Sequence, residues 1–391
     1  MFESMSILGL QQYWWILISI LAAAFVFLTF VQGGQTLVSQ LAKNEKERSL
    51  LINSIGRRWD LTFTSLVVFG GAFFASFPLF YSTSFGGAYW VWMIILFSFI
   101  IQAVSYEYRN KAGNFLGQKT YDTFLVINGV IATVLIGAAV GTFFTGSNFI
   151  INKVNIINLS EGVSKWTTGT HGLEAVWATF NGYPSFLVNL SLALAVLFLS
   201  RVLGGMYFLF SVDNTDIIER TTKLLKKCSI MFLVFFLLFL GLILTKEGFA
   251  VNPDTKEIFM EKYKYLHNLL NMPMVLIILL IGVVLVLYGI FKGAFKSSSN
   301  AFWFTGTGTV LAVMALFMVA GFNNTSYYPS VADLQSSLTI ENSSSSKFTL
   351  IVMSYVSLAM PFVIGYIFIA WRSLTRKKIT IEEIENDKMS Y

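Results

Sequence analysis

Nine long apolar runs, separated by shorter polar segments, dominate the chain. Each run has about 17 to 27 residues and is long enough to cross a bilayer core of roughly 30 Å as an α-helix. The pattern predicts an all-α polytopic helix bundle with transmembrane helices at about residues 13–31, 61–81, 88–105, 122–145, 184–210, 229–245, 273–291, 301–321 and 348–371.

The connections between the spans are too short for a separate soluble domain. The longest are residues 146–183 and 322–347, and neither could bury an independent core. We therefore expect residues 1–391 to form a single membrane domain. In the first connection Asn44 is a plausible N-cap with Glu47 at the third helical position, which predicts a short interfacial helix at about 44–57 in preference to a loose linker. A simple topological connector is the plainer interpretation of its role.

The distribution of basic residues predicts the orientation. Of the 27 Lys and Arg residues, 19 fall in connections on one side of the nine spans, and Lys and Arg near span ends favour the cytoplasm. This places the N-terminus outside and a C-terminal tail, 372–391, in the cytoplasm. The net charge of +6 then needs no nucleic-acid partner, because the excess lies beside the anionic inner leaflet.

Two residue classes are expected to serve packing and anchoring. Glycines inside the spans should allow close helix approach; these are Gly70, Gly71, Gly137, Gly141, Gly204 and Gly205. Tryptophans close to span ends should form an interfacial belt with membrane lipid; these are Trp14, Trp15, Trp90, Trp92, Trp303 and Trp371.

Charged residues at or inside the spans are the candidates for chemistry, because such positions are costly in a membrane. Asp60 follows Trp59 at the start of the second span, and Glu107 lies two residues before Arg109 at the end of the third. About six residues join these spans, so both carboxyls should lie at one membrane face, where they could pass protons. Alternatively, Asp60 is a helix N-cap and Glu107 pairs with Arg109.

Other reactive residue types are scarce. Arg201, within the fifth span, is expected to snorkel or to bond a neighbouring helix. His171 and His267 fall in external connections, so a bis-His haem or a histidine metal site within the spans is not predicted. The single Cys228 excludes an internal disulfide and a thiolate cluster, and it is expected to pack silently.

Several segments in order carry a family resemblance. They are 51–55 followed by Trp59 and Asp60, 70–75 with Pro78 and Tyr81, Tyr106-Glu107-Tyr108-Arg109, and 337–350 followed by Pro361, Tyr366 and Trp371. With this pattern, nearly the whole chain resembles subunit II of the cytochrome bd quinol oxidases.

The resemblance implies a terminal oxidase of the bacterial cytoplasmic membrane that oxidises quinol and reduces dioxygen to water. For the nine spans, two four-helix bundles plus one peripheral helix are expected. Haems b and d would be bound by a partner subunit I and not by this chain. A small single-helix accessory subunit and a structural quinone also occur in the family.

The same resemblance implies a proton route through Asp60, Trp59 and Glu107, supported by the polar residues Arg109, Gln32 and Thr29. One departure is that Thr29 and Gln32 stand where the family pattern has two acids in the first helix, so neither position can ionise here. Two other functions remain possible from the residues: a secondary transporter, which should carry ionisable groups near the membrane midplane, and a non-conducting assembly scaffold.

Overall fold

A computed structural model describes residues 2–111, 113–156, 162–180, 182–374 and 378–386. Within these residues, nine helices are long and apolar enough to cross a membrane. The predicted all-α fold with nine spans is therefore confirmed.

The first half of the chain begins with a broken span and a short helix. Helix α1 is Ile7–Leu28 and α2 is Phe30–Leu41. The others in this half are α3 (Glu45–Gly56), α4 (Trp59–Ser76), α5 (Pro78–Phe80), α6 (Tyr89–Tyr108) and α7 (Gln118–Thr145).

The second half contains four complete spans and a ninth span that is broken. Its helices are α8 (Ser185–Ser211), α9 (Thr215–Thr245), α10 (Lys264–Asn271), α11 (Pro273–Lys296), α12 (Ala301–Gly321), α13 (Lys347–Ser357), α14 (Met360–Leu374) and α15 (Ile381–Asn386).

The spans pack as two groups of four with one helix outside them, as expected. Helices α1 with α2, α4, α6 and α7 form the first group, and α8, α9, α11 and α12 form the second. The groups meet where α2 and α7 pack on α8 and where α1 packs on α12. Helix α13 lies outside, against α1 and α4.

The first span is bent, which the sequence pattern does not predict. Thr29 separates α1 from α2, and its hydroxyl donates a hydrogen bond of 2.6 Å to the carbonyl oxygen of Val26. A side-chain hydroxyl that bonds a carbonyl in the preceding turn often bends a helix. After this interruption, α2 packs against α7 and α8.

The expectations for Trp and Gly were right only in part. Trp14 and Trp15 are buried and do not belong to an interfacial belt: the Trp15 Nε1 donates to the Phe317 carbonyl at 3.0 Å, and Trp14 Nε1 donates to Ser354 Oγ at 3.0 Å. The latter bond attaches α13 to α1. Gly71 lies in open space, so the expected close approach there is wrong.

Short strands occupy the connections at the end of the bundle opposite α3. The hairpins pair β1 (Phe149–Ile151) with β2 (Ser164–Trp166), and β3 (Glu247–Val251) with β4 (Ile258–Lys262), both antiparallel. They cover the helix ends there.

The opposite end, which we call the basic end, consists of α3, α15 and the helix ends around them. Asn44 caps α3 by accepting a hydrogen bond from the Glu47 amide at 2.9 Å. Glu47 also accepts bonds of 2.9 and 2.8 Å from both terminal nitrogens of Arg220 on α9. The tail packs on α3 through an ion pair of 2.7 Å between Arg57 and Glu383. Helix α3 is thus held by its neighbours on two sides.

Candidate functional site

Trp59 and Asp60 begin α4 at the basic end. The Trp59 ring stacks on Tyr106 of α6 with the ring centroids 5.8 Å apart, so α4 starts beside the end of α6. Asp60 is exposed on the surface of the chain. Arg58 holds the N-cap position and Asp60 lies in the first turn, so the alternative that Asp60 is an N-cap is wrong.

Glu107 follows Tyr106 and therefore lies at the same end as Asp60. Its carboxylate forms an ion pair of 3.2 Å with Lys111, and both side chains are more than half exposed. The suggested pair between Glu107 and Arg109 is wrong, because the Arg109 side chain points to other carboxylates. An exposed ion pair of this kind contributes little to stability.

Arg109 is instead the centre of an ion cluster that also contains Glu45, Arg48 and Asp122. Its side chain is fully buried, and its Nε lies 2.7 Å from Asp122 while one terminal nitrogen lies 2.5 Å from Glu45. Arg48 reaches the other Asp122 oxygen at 3.2 Å. The cluster joins α3, α6 and α7, so Arg109 supports the structure around the site.

Replacing Arg109 with Gln should lower the stability of the subunit by about 2 kcal/mol, because Asp122 would lose a buried cationic partner. We expect a lower thermal midpoint for the purified protein, whereas Lys111→Gln, which removes only the exposed pair with Glu107, should leave the midpoint unchanged. Equal midpoints for the two variants would show that Arg109 does not hold the three helices together.

The side chains of Thr29 and Arg201 form hydrogen bonds away from Trp59 and Asp60. The Thr29 hydroxyl is used by the bend described above. Arg201 donates to the Thr36 hydroxyl at 2.9 Å and to Gln40 Oε1 at 2.9 Å, as expected for an arginine that bonds a neighbouring helix. Among the described residues, no hydrogen bond joins Thr29 or Arg201 to Trp59 or Asp60.

Gln32 belongs to a buried set of neutral polar residues between α2, α6 and α7, which we call the amide cluster. Gln32 Nε2 lies 3.4 Å from Asn128 Oδ1, and Asn128 Nδ2 donates to Ser98 Oγ at 3.3 Å. Gln35 Nε2 donates to the hydroxyl of Tyr106 at 3.1 Å. The cluster consists of Gln32, Gln35, Ser98, Gln102, Tyr106 and Asn128, all less than 4% exposed.

Sequence reasoning missed four members of this cluster, namely Gln35, Ser98, Gln102 and Asn128. The signal was present, since three amides, Gln35, Gln102 and Asn128, interrupt apolar or membrane-bordering helices. The prediction of candidate residues rests on ionisable side chains alone, which are the most costly groups in a membrane. Neutral amides are also costly there unless they are hydrogen-bonded.

A crevice of about 390 Å³ opens among α2, α3 and α7 at the basic end. Arg48, Lys119 and Asp122 line its charged part, and Val38 and Leu125 form apolar walls. Gln35 is the deepest α2 residue in its lining. The crevice therefore reaches the amide cluster from the surface.

The family model of the cytochrome bd terminal oxidase subunit II matches residues 10–374, nearly the whole chain. The chain belongs to this family. A solved bd oxidase from Geobacillus thermodenitrificans has a chain with the same fold: the TM-score is 0.57, at 13% identity, with 94% of this chain and 98% of that chain covered.

Curated relatives are similar to parts of the chain. A probable cytochrome oxidase subunit 2 of Haemophilus influenzae is 27% identical over 62% of this chain and 60% of its own length. The cytochrome bd-I ubiquinol oxidase subunit 2 of Escherichia coli K12 is 30% identical over 37% and 38%, respectively. The cytochrome bd ubiquinol oxidase subunit 2 of Bacillus subtilis is 32% identical over 35% and 41%. These matches span about two fifths to three fifths of the relatives.

The described residues of this subunit II contain no group of three or more His, Cys, Asp or Glu side chains that could hold a metal ion. His171 bonds the Gly87 carbonyl oxygen at 3.1 Å, and His267 lies 2.7 Å from Glu261, both at the end opposite α3. Cys228 is buried in the packing.

Two apolar cavities among the described helices are small for a quinone ring. Their volumes are about 90 and 80 Å³. An apolar protein cavity of about 150 Å³ holds one benzene molecule, and a quinone also needs hydrogen-bond donors for its carbonyl oxygens. The second cavity is lined almost entirely by apolar side chains, with Thr309 as the only hydroxyl residue in its lining. We derive no role for a structural quinone.

Proposed function

We propose that this chain is the subunit II of a bd-type oxidase complex that oxidises quinol and reduces dioxygen to water. Membership of the family and the names of the Escherichia coli and Bacillus subtilis relatives support this assignment. In this proposal the haems b and d reside in a partner subunit I, and the complex lies in the bacterial cytoplasmic membrane. The basic end faces the cytoplasm, in agreement with the excess of Lys and Arg there.

Within the complex, the chain contributes an entry for protons from the cytoplasm. The observation that carries this proposal is the position of Asp60: it is an exposed carboxylate at the basic end of a membrane helix, next to the Trp59–Tyr106 stack. A carboxylate directed at lipid would be costly. We infer that Asp60 faces water and subunit I, where it takes up and releases protons.

The proposed pathway gives the other predicted site residues different roles. Glu107 is a second carboxylate at this end, and its exposed pair with Lys111 offsets much of its charge, so its contribution is smaller than that of Asp60. Arg109 positions the ends of α6 and α7 through Asp122. Gln32 lies on α2 and can orient water but cannot carry a proton itself.

Purification of the tagged chain from its native membranes tests the assignment to a complex. We expect a second polytopic subunit to copurify, with a haem absorbance spectrum and with quinol-dependent oxygen consumption. A colourless single subunit that moves a solute across vesicles would contradict the proposal and favour a secondary transporter. A tagged unrelated polytopic protein from the same membranes serves as the control for adventitious haem.

A further inference from the structure

The amide cluster leaves four buried polar atoms without a hydrogen-bond partner among the described residues. These atoms are Oε1 of Gln32, Oε1 of Gln35, and both Nε2 and Oε1 of Gln102. Gln102 and Gln32 are fully buried, and Gln35 is 1% exposed.

The three glutamines lie next to the hydrogen bonds that join α2, α6 and α7. On α6, Ser98, Gln102 and Tyr106 are spaced by four residues and lie on one helix face. Ser98 bonds Asn128 and Tyr106 bonds Gln35, so this face is directed at α7 and α2. Gln32 and Gln35 are three residues apart on α2. Gln102, between Ser98 and Tyr106, therefore lies between the two sets of bonds.

The cluster extends into the membrane from the basic end. Eight residues separate Tyr106 from Ser98, which corresponds to about 12 Å along α6. Buried amides in an apolar helix bundle are stable only when their hydrogen-bonding groups are paired. Water is the ligand that can bond both a free amide N–H and several free carbonyl oxygens at one place, and a buried water typically makes two to four such bonds.

Water can reach the cluster from the surface. The crevice of about 390 Å³ among α2, α3 and α7 is wide enough for several water molecules, and Gln35 belongs both to its lining and to the cluster. Its charged residues, Arg48, Lys119 and Asp122, keep the entrance hydrated. The smaller of the two apolar cavities has only Thr309 as a hydroxyl residue in its lining.

We propose that the amide cluster binds a small group of ordered water molecules, and that these waters form an internal branch of the proton route. The second part rests on the proposed function. An excess proton passes from one water oxygen to the next: one O–H bond breaks in the donor as another forms in the acceptor. The amides keep their own protons and only orient the waters. Reduction of dioxygen in the complex consumes the proton delivered.

The branch explains how this chain functions with Thr29 and Gln32 where the family pattern has two acids. Thr29 has no ionisable group, and its hydroxyl already donates a hydrogen bond to the Val26 carbonyl oxygen. Gln32 offers a free carbonyl oxygen to water. Oriented water thus replaces side-chain carboxylates along this part of the membrane.

The purified oxidase complex with Gln102→Leu tests the water site. In the unmodified complex we expect ordered water density between α2, α6 and α7 in a high-resolution cryo-electron microscopy map. We also expect an infrared O–H stretching band that shifts in H₂¹⁸O. Both signals should decrease in Gln102→Leu and persist in Gln12→Leu, which alters an exposed glutamine at the opposite end. A dry cluster in the unmodified complex would overturn the proposal. So would a higher thermal midpoint in Gln102→Leu, because removing unpaired amides from a dry site should stabilise it.

Oxygen consumption tests the link to proton delivery. Gln102→Leu should lower the rate severalfold and increase the ratio of rates in H₂O and D₂O, with the haem content unchanged. Loss of the water signals without a change in rate would overturn the internal branch but leave entry at Asp60 intact. If Gln102→Leu lowers the rate of oxygen consumption and Asp60→Asn does not, the internal branch is supported and the proposed entry at Asp60 is contradicted.

Discussion

Asp60→Asn is expected to lower the oxygen consumption of the purified complex by roughly tenfold or more. Asparagine has nearly the same shape as aspartate but cannot release or take up a proton at neutral pH. The variant should therefore assemble normally and keep its haem content. Oxygen uptake with excess quinol, divided by the haem absorbance of the same sample, measures the effect.

Two further variants separate proton transfer from a general loss of negative charge. Asp60→Glu restores an ionisable group and should recover a large part of the activity. Glu107→Gln removes a carboxylate from the same end, but this carboxylate already pairs with Lys111 in an exposed position, so a smaller decrease is expected. Unchanged turnover in Asp60→Asn would contradict the proton entry and support the assembly scaffold.

Gly33→Ala should cost about 3 kcal/mol or more of stability, because it places a methyl group where α2 and α8 touch. A Cβ atom at Gly33 would overlap the backbone carbonyl of Ser200. A backbone group cannot rotate away as a flexible side chain can, so the two helices must separate. We expect a much lower yield of the assembled complex and a lower thermal midpoint in detergent.

Gly71→Ala is the matched control for this variant. Gly71 also lies within a membrane helix, but a Cβ atom there would meet nothing within 4 Å. Alanine has a higher helix propensity than glycine, so this variant should be as stable as the unmodified chain or slightly more stable. If both variants unfold at the same temperature, α2 and α8 do not approach as closely as the structure indicates.

The spans could be predicted from sequence because their signal is local. A run of about 20 apolar residues has few structures available in a bilayer other than a helix, since every backbone N–H and C=O group must be bonded within the segment. The boundaries were less accurate. The bend at Thr29 depends on one hydroxyl bonding the Val26 carbonyl, and it does not interrupt the apolar pattern.

The site was only partly predictable because its contacts join distant segments. Asp60 and Glu107 were correctly placed at one end, since a short connection forces α4 and α6 to be antiparallel. Arg109 was assigned the wrong partner: the sequence offers Glu107 two residues away, but on a helix such neighbours point in different directions. The actual partners, Asp122 and Glu45, are 13 and 64 residues away.

By itself, the sequence determined that this chain is a nine-span membrane protein of the bd oxidase subunit II family, because hydropathy and motif order are properties of the linear chain. Only the tertiary structure decided that Arg109 joins three helices and that Gln32, Gln35, Gln102 and Asn128 gather in one buried place. The physical reason is that the cost of a polar group in a membrane depends on which groups of other helices face it, and packing alone establishes those neighbours.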